Sequence, residues 1–185
     1  MKRLNVALVG AGFMGKAHTV AYSNMPKFFW PAPAYPVLKT LCDIDPKIAE
    51  DSCERFGYEK WCTDWHDVVN DPEIDIVSIC TPNNAHAPIA IAALQAGKHV
   101  LCEKPIASTR KDAEAMAAAA AEAAKKGVIS MNAYQYRRVP ALVLAKKFID
   151  EGSIGKILNV RCTYLQSWSA DPSSPLSWRF QKEIA

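Results

Sequence analysis

Two features of this sequence predict a doubly wound α/β fold, a parallel sheet with helices on both faces. Short continuous apolar runs alternate with longer helical patterns, the order that builds parallel strands joined by helical crossovers. A glycine-rich turn, Gly10-Ala11-Gly12-Phe13-Met14-Gly15, stands between the first run and the first helix.

Leu4 to Val9 is the first run, and its lack of polar alternation marks a strand buried on both faces. Val37 to Cys42, Ile74 to Cys80, His99 to Cys102 and Val128 to Met131 are of the same kind, with a weaker strand expected near Glu59 to Cys62. Asp45-Pro46 offers an N-cap followed by proline at the first helical position, so a helix is expected to Phe56, before Gly57. Asn84 is expected to cap a helix through Ala96, which Gly97 ends. Thr109 and Asp112 resemble a capping box opening an alanine-rich helix, and Lys125-Lys126 complement its C-terminal dipole before Gly127. After Tyr134 the texture changes. A helix is expected over Val139 to Glu151, then a turn at Gly152 to Gly155. A strand is expected over Lys156 to Gln166, with Leu158, Val160, Cys162 and Tyr164 on one face, and then a loop to Pro175. The expected organisation is one complete α/β domain over residues 1–134 and an incomplete beginning of a second domain over 135–185.

Composition narrows the partners. Of 185 residues, 50% are apolar and 22% charged, enough to bury a core. A net charge of +3 is too mild to indicate a nucleic acid. No apolar run approaches the roughly 20 residues of a membrane span. The basic start Met1-Lys2-Arg3 lacks the long apolar core of a signal peptide, because Gly10, Lys16 and His18 interrupt it. The six cysteines are scattered without a C-x-x-C pair, which favours reduced thiols and a cytoplasmic protein. His18, His66, His86 and His99 lack metal-ligand spacing, so no metal is expected.

The glycine turn has the G-x-G-x-x-G spacing of a dinucleotide site. The first glycine allows the tight turn, the second admits a pyrophosphate to the backbone, and the third lets helix and strand pack closely. Asp43, at the end of the second strand, can accept from both ribose hydroxyls and repels a 2′-phosphate, so NAD is favoured over NADP. It lies further on than the usual ~20 residues, because of an insertion from Pro26 to Pro36 carrying Phe28, Phe29, Trp30 and Tyr35. Its four aromatics are expected to be buried, clamping the first helix. Thr81-Pro82-Asn83 and Glu103-Lys104-Pro105 each follow a strand, at the carboxyl edge where open α/β sheets bind ligands. Lys104 can donate to a substrate oxygen and stabilise an alkoxide as hydride leaves its carbon.

In this order the glycine turn, Asp43, Cys80-Thr81-Pro82-Asn83, Ala96-Gly97-Lys98-His99-Val100 and Cys102-Glu103-Lys104-Pro105 resemble the glucose-fructose oxidoreductase/inositol dehydrogenase family (Gfo/Idh/MocA). The likeness continues through Tyr136-Arg137-Arg138 with Pro140, Gly152-Ser153-Ile154-Gly155-Lys156 and Trp178-Arg179. It implies a Rossmann-type sheet followed by an α+β substrate and oligomerisation domain, and NAD(P)-dependent hydride transfer at a ring hydroxyl of a sugar or cyclitol. The whole protein is expected to be a homo-oligomer. The cofactor contacts it implies are Gly10, Gly12, Phe13, Met14, Gly15, Asp43, Thr81, Asn83, His86, Glu103, Lys104, Trp178 and Arg179, with Lys104 also catalytic. The family's catalytic histidine, with an aspartate four residues before it, lies beyond the Trp-Arg segment. This chain is therefore expected to stop short of it and to be inactive alone. A non-catalytic nucleotide-binding module and one half of a split enzyme are the alternative readings.

Overall fold

The computed structural model describes residues 2–167, 170–175, 177–182 and 184. They form two compact units, Met1–Ala133 with Gln181–Ala185, and Tyr134–Phe180.

The larger unit is a six-stranded parallel sheet: β1 (Arg3–Val9), β2 (Tyr35–Cys42), β3 (Lys60–Cys62), β4 (Ile76–Ile79), β5 (His99–Cys102) and β6 (Ser130–Asn132). Its order is β3-β2-β1-β4-β5-β6. The order reverses between β1 and β4, which opens a crevice at their carboxyl ends. Helices α1 (Phe13–Phe28), α2 (Pro46–Phe56), α3 (Trp65–Asn70), α4 (His86–Gln95) and α5 (Arg110–Ala124) make the crossovers. Two clusters divide the core by the strands' two-residue period. On one face Ala7, Val9, Val77, Ile79 and Val100 pack with Val68, Ile89 and Met116 from α3, α4 and α5. On the other, Leu8 and Leu41 pack with Ala49 and Cys53 of α2 and with Tyr58. The Tyr58 hydroxyl meets the Thr19 hydroxyl of α1 at 2.9 Å, and burial pushes its pKa up.

The local signals act largely as their chemistry requires. Asp45 accepts from the backbone N–H groups of Lys47 and Ile48, and Gly57 ends α2 in a left-handed conformation. Thr109 Oγ1 accepts from Asp112 N at 3.1 Å. Three expectations need correction. Asn84 does not cap α4. It lies inside a 3-10 turn (Asn83–Ala85) that leads directly into the helix, with Ala85 at the cap position. The aromatic insertion does not clamp the first helix with buried rings. α1 runs through Pro26 to Phe28, and Phe28 and Trp30 are 82% and 79% exposed. The remaining loop precedes β2, at the amino edge of the sheet and away from the crevice. The stretch 156–166 is not a strand: among the described residues nothing pairs with its backbone, and a lone strand leaves its N–H and C=O groups without a ladder. Leu158, Val160 and Tyr164 are exposed.

The smaller unit holds α6 (Pro140–Asp150) and a 3-10 turn over Trp178–Phe180. Within it the Tyr136 and Tyr164 hydroxyls meet at 2.7 Å. Among the described residues no helix is long and apolar enough to cross a membrane.

Candidate active site

The three glycines of the turn differ in what surrounds them. Gly10 has φ +96°, and a Cβ there would collide with the Cys80 carbonyl at 2.7 Å, where the turn crosses the end of β4. A Cβ on Gly15 would run into the Gly10 carbonyl oxygen and press on Leu8 Cδ2 at 3.2 Å. Gly12 is different. A Cβ there meets nothing within 4 Å, and its φ of −65° suits any residue. Folding does not need a glycine at position 12. A ligand that must approach the backbone at the N-terminus of α1 does.

Parallel register brings Asp43 to this turn despite the insertion. Val9 pairs with Cys42, so the next residue on each strand enters the same corner. Asp43 Oδ2 accepts from Ala11 N at 2.8 Å, and Oδ1 accepts from Asp45 N at 3.1 Å. The helix-cap role belongs to Asp45. The carboxylate of Asp43 is thus fixed beside the open side of the turn with lone pairs to spare, as an acceptor of ribose hydroxyls must be.

The loops after β4 and β5 complete the corner. The Thr81 hydroxyl is buried and has no hydrogen-bond partner among the described residues. So is the amide oxygen of Asn132, at the end of β6. Orphaned polar atoms of this kind carry a desolvation cost unless something else bonds them. His86 is 1% exposed, and its ring nitrogens lie 2.8 Å from the Pro105 carbonyl oxygen and 3.0 Å from that of Thr81. A carbonyl only accepts, so a neutral ring donates to one of the two and sets its bare nitrogen beside the other. The side chain lies between the two loops and braces one against the other.

Glu103 is likewise turned inward. It is 4% exposed; Oε2 accepts from Lys104 N at 3.1 Å, and Oε1 lies 3.1 Å from His18 Nε2. A carboxylate only accepts, so Nε2 donates, and Nδ1 then pairs with the Ser78 hydroxyl at 2.9 Å. The sequence reading assigns His18 no such role, since 85 residues separate it from Glu103. Its position three residues after Gly15, on the face of α1 turned to β4, was the available signal. Burial, with the Glu103 charge adding to it, pushes the Cys102 thiol up to about 12. Tyr22 is pushed up by burial, partly offset by its bond to Ser78. Lys104 is exposed, and its ammonium has no partner among the described residues. Phe13 is exposed at the start of α1, with half-buried Met14 after it. Trp178 and Arg179 lie in the smaller unit, where the guanidinium stacks 4.6 Å from the indole centroid.

Residues 4–132 match the model of an oxidoreductase family with an NAD-binding Rossmann fold, Gfo/Idh/MocA. The chain belongs to that family. It is 56% identical over 185 residues to levoglucosan dehydrogenase of Pseudarthrobacter phenanthrenivorans, covering all of this chain and 47% of the relative. It is 32% identical over 158 residues to inositol 2-dehydrogenase of Salmonella typhimurium, covering 85% of this chain and 44% of the other. A solved structure of levoglucosan dehydrogenase in complex with NADH and levoglucosan superposes with a TM-score of 0.94 at 55% identity, over 99% of this chain and 49% of that one. The chain therefore spans about half the length of the curated relatives it matches.

Proposed function

We propose that this chain carries the dinucleotide-binding part of an NAD-dependent dehydrogenase acting on a ring CH–OH of a sugar. The observation that carries the reading is the Asp43 carboxylate pinned to Ala11, beside a glycine whose missing side chain serves no packing purpose. The Gly10–Gly15 turn, with Phe13 and Met14 opening the helix, holds the pyrophosphate on backbone N–H groups. Asp43 takes the adenosine ribose. The orphaned Thr81 hydroxyl and Asn83 face the nicotinamide half, and His86 and Glu103 fix the loops that present them. The likeness to levoglucosan dehydrogenase favours a sugar over a cyclitol as substrate.

When bound, NAD supplies the hydride acceptor. Lys104 contributes an ammonium that donates to the substrate oxygen and stabilises negative charge on it. His18 and Glu103 keep the first residues of that loop in place, so that the ammonium is presented from a fixed backbone.

The test is fluorescence titration of the chain with NADH and NADPH. NADH should bind more tightly by at least tenfold, about 1.4 kcal/mol, and Asp43→Asn should narrow the gap. Equal affinities, or tighter NADPH, would overturn the assignment of Asp43.

A further inference from the structure

Of the six free cysteines, two face each other across the sheet. Cys42 ends β2 and Cys62 ends β3, and the parallel register pairs them directly. Neighbouring strands lie about 4.8 Å apart, inside the ~4.4–6.8 Å Cα span of disulfides. Both side chains point to the same face, packed in the cluster that holds Val68 and Val69. We propose that Cys42 and Cys62 are a redox-sensitive thiol pair, which a hydroperoxide closes to a disulfide and which thereby loosens the Asp43 corner.

The two thiols are unequal in the way such a reaction needs. Cys42 is 2% exposed, whereas Cys62 is half-buried on a three-residue edge strand, where a small oxidant reaches it. The Cys42 thiol interacts with Cys62, which raises the pKa of Cys42 and holds that of Cys62 below the usual thiol value. Asp43, Asp64 and Asp67 face the pair with negative charge and oppose the thiolate, so the reaction is slower than that of a dedicated peroxidase. The Cys62 thiolate attacks an oxygen of hydrogen peroxide; the O–O bond breaks, a sulfenic acid forms, and the departing hydroxide takes up the proton that Cys62 released on ionising and leaves as one water. Cys42 sulfur then attacks Cys62 sulfur; the S–O bond breaks and the Cys42 proton leaves with the hydroxide as a second water. Two thiols give up two electrons, and one peroxide is reduced to two waters.

The pair is wired to the proposed cofactor corner. Asp43 N donates to the Cys62 carbonyl at 3.2 Å, and its carboxylate holds Ala11 N. A disulfide holds its two sulfurs about 2.05 Å apart, closer than two unbonded thiols can approach. Closure therefore draws β3 toward β2 and disturbs the backbone bond that seats Asp43. This second half rests on the dinucleotide reading above.

The experiment uses the chain with exposed Cys162 changed by Cys162→Ser, so that links between molecules do not interfere. Reduced protein is treated with hydrogen peroxide, alkylated and digested, and NADH affinity is titrated before and after. The expected result is a Cys42–Cys62 linked peptide, two hydrogens lighter than the separate thiols, reversed by dithiothreitol. NADH affinity should fall at least about fivefold on oxidation, and not in the added Cys62→Ser variant, or in Cys42→Ser if the first fails to fold. Over-oxidation of Cys62 without a linked peptide, or a disulfide to another cysteine, would overturn the pair. A linked peptide with unchanged NADH affinity would overturn the coupling. Failure of the reduced chain to bind NADH would overturn the dinucleotide reading and the coupling together, and the linked peptide would still decide the disulfide.

Discussion

Gly12→Ala and Gly15→Ala should separate binding from folding within one short turn. At Gly15 the added Cβ has no room: it would overlap the Gly10 carbonyl oxygen, which is backbone, and crowd Leu8, which is itself in the core. Neither neighbour is the loose end of a flexible side chain, so the upper part of the ~1–3 kcal/mol range for overpacking applies. At ~2–4 °C per kcal/mol for a chain of this size, the melting temperature should fall by roughly 6–12 °C. At Gly12 the Cβ meets nothing and the backbone is relaxed. The only intrinsic loss is a slightly poorer helix N-cap, some tenths of a kcal/mol to about one, so melting should move by no more than ~4 °C. Binding should show the reverse order of damage. The Gly12 methyl enters the space beside the first N–H groups of α1, and NADH should bind at least tenfold more weakly, about 1.4 kcal/mol. Calorimetric melts and NADH fluorescence titrations on both variants decide the matter. Wild-type affinity in Gly12→Ala would refute the placing of the pyrophosphate, and an unchanged melt in Gly15→Ala would refute the packing argument.

Removing the buried donor with His18→Leu should cost about 1–3 kcal/mol in urea unfolding, because the Glu103 carboxylate stays buried and keeps only the Lys104 amide. Lys104→Met should leave NADH affinity of the chain within about twofold. In the protein at the length of its relatives, it should lower kcat/KM by roughly 2–4 kcal/mol of transition-state stabilisation; near-normal turnover would make the lysine a bystander. Asp71 accepts from Lys60 at 2.7 Å and from Glu73 N at 2.9 Å. The Lys60 ammonium bonded to the carboxylate holds its pKa below the usual carboxylate value, with the Glu73 amide adding to the effect. A lowered carboxylate pKa means stability that is present above the unfolded value and lost as pH falls through the folded one. Acid titration of stability should therefore lose a component below about pH 4, and Asp71→Asn should flatten it.

Much of this fold was legible because its local signals agree with its packing. β1 is apolar from Val6 to Val9, where both its faces are covered, and Asp45, Pro46 and Gly57 bound α2 as their chemistry dictates. What was missed has physical reasons. At six residues, α3 is too short for a helical period to show in the sequence. The His18–Glu103 contact joins residues far apart in sequence, and only the register of β4 and β5 makes it. The 156–166 pattern alternates as a strand does, but alternation supplies no partner. The aromatic insertion looked like buried material, yet its place at the amino edge is decided by strand direction rather than by hydrophobicity. At the site, the glycines, Asp43 and the loops after β4 and β5 could be read from motifs. That Glu103 and His86 face inward as braces could not, since a motif names residue types and says nothing of which way they turn.

The bond between Asp43 and Ala11 bears on how such a protein could change cofactor. On the proposed role of Asp43, a substitution that removes the acid to admit a phosphate also frees the amide that the acid restrains, so selectivity and turn rigidity are inherited as one trait. A single exchange at position 43 would then produce a poorer site for both nucleotides before it produced a better one for either. A second polar group able to accept from Ala11 would have to arise alongside it. Redesign for NADP should begin with that replacement acceptor, and only afterwards add positive charge.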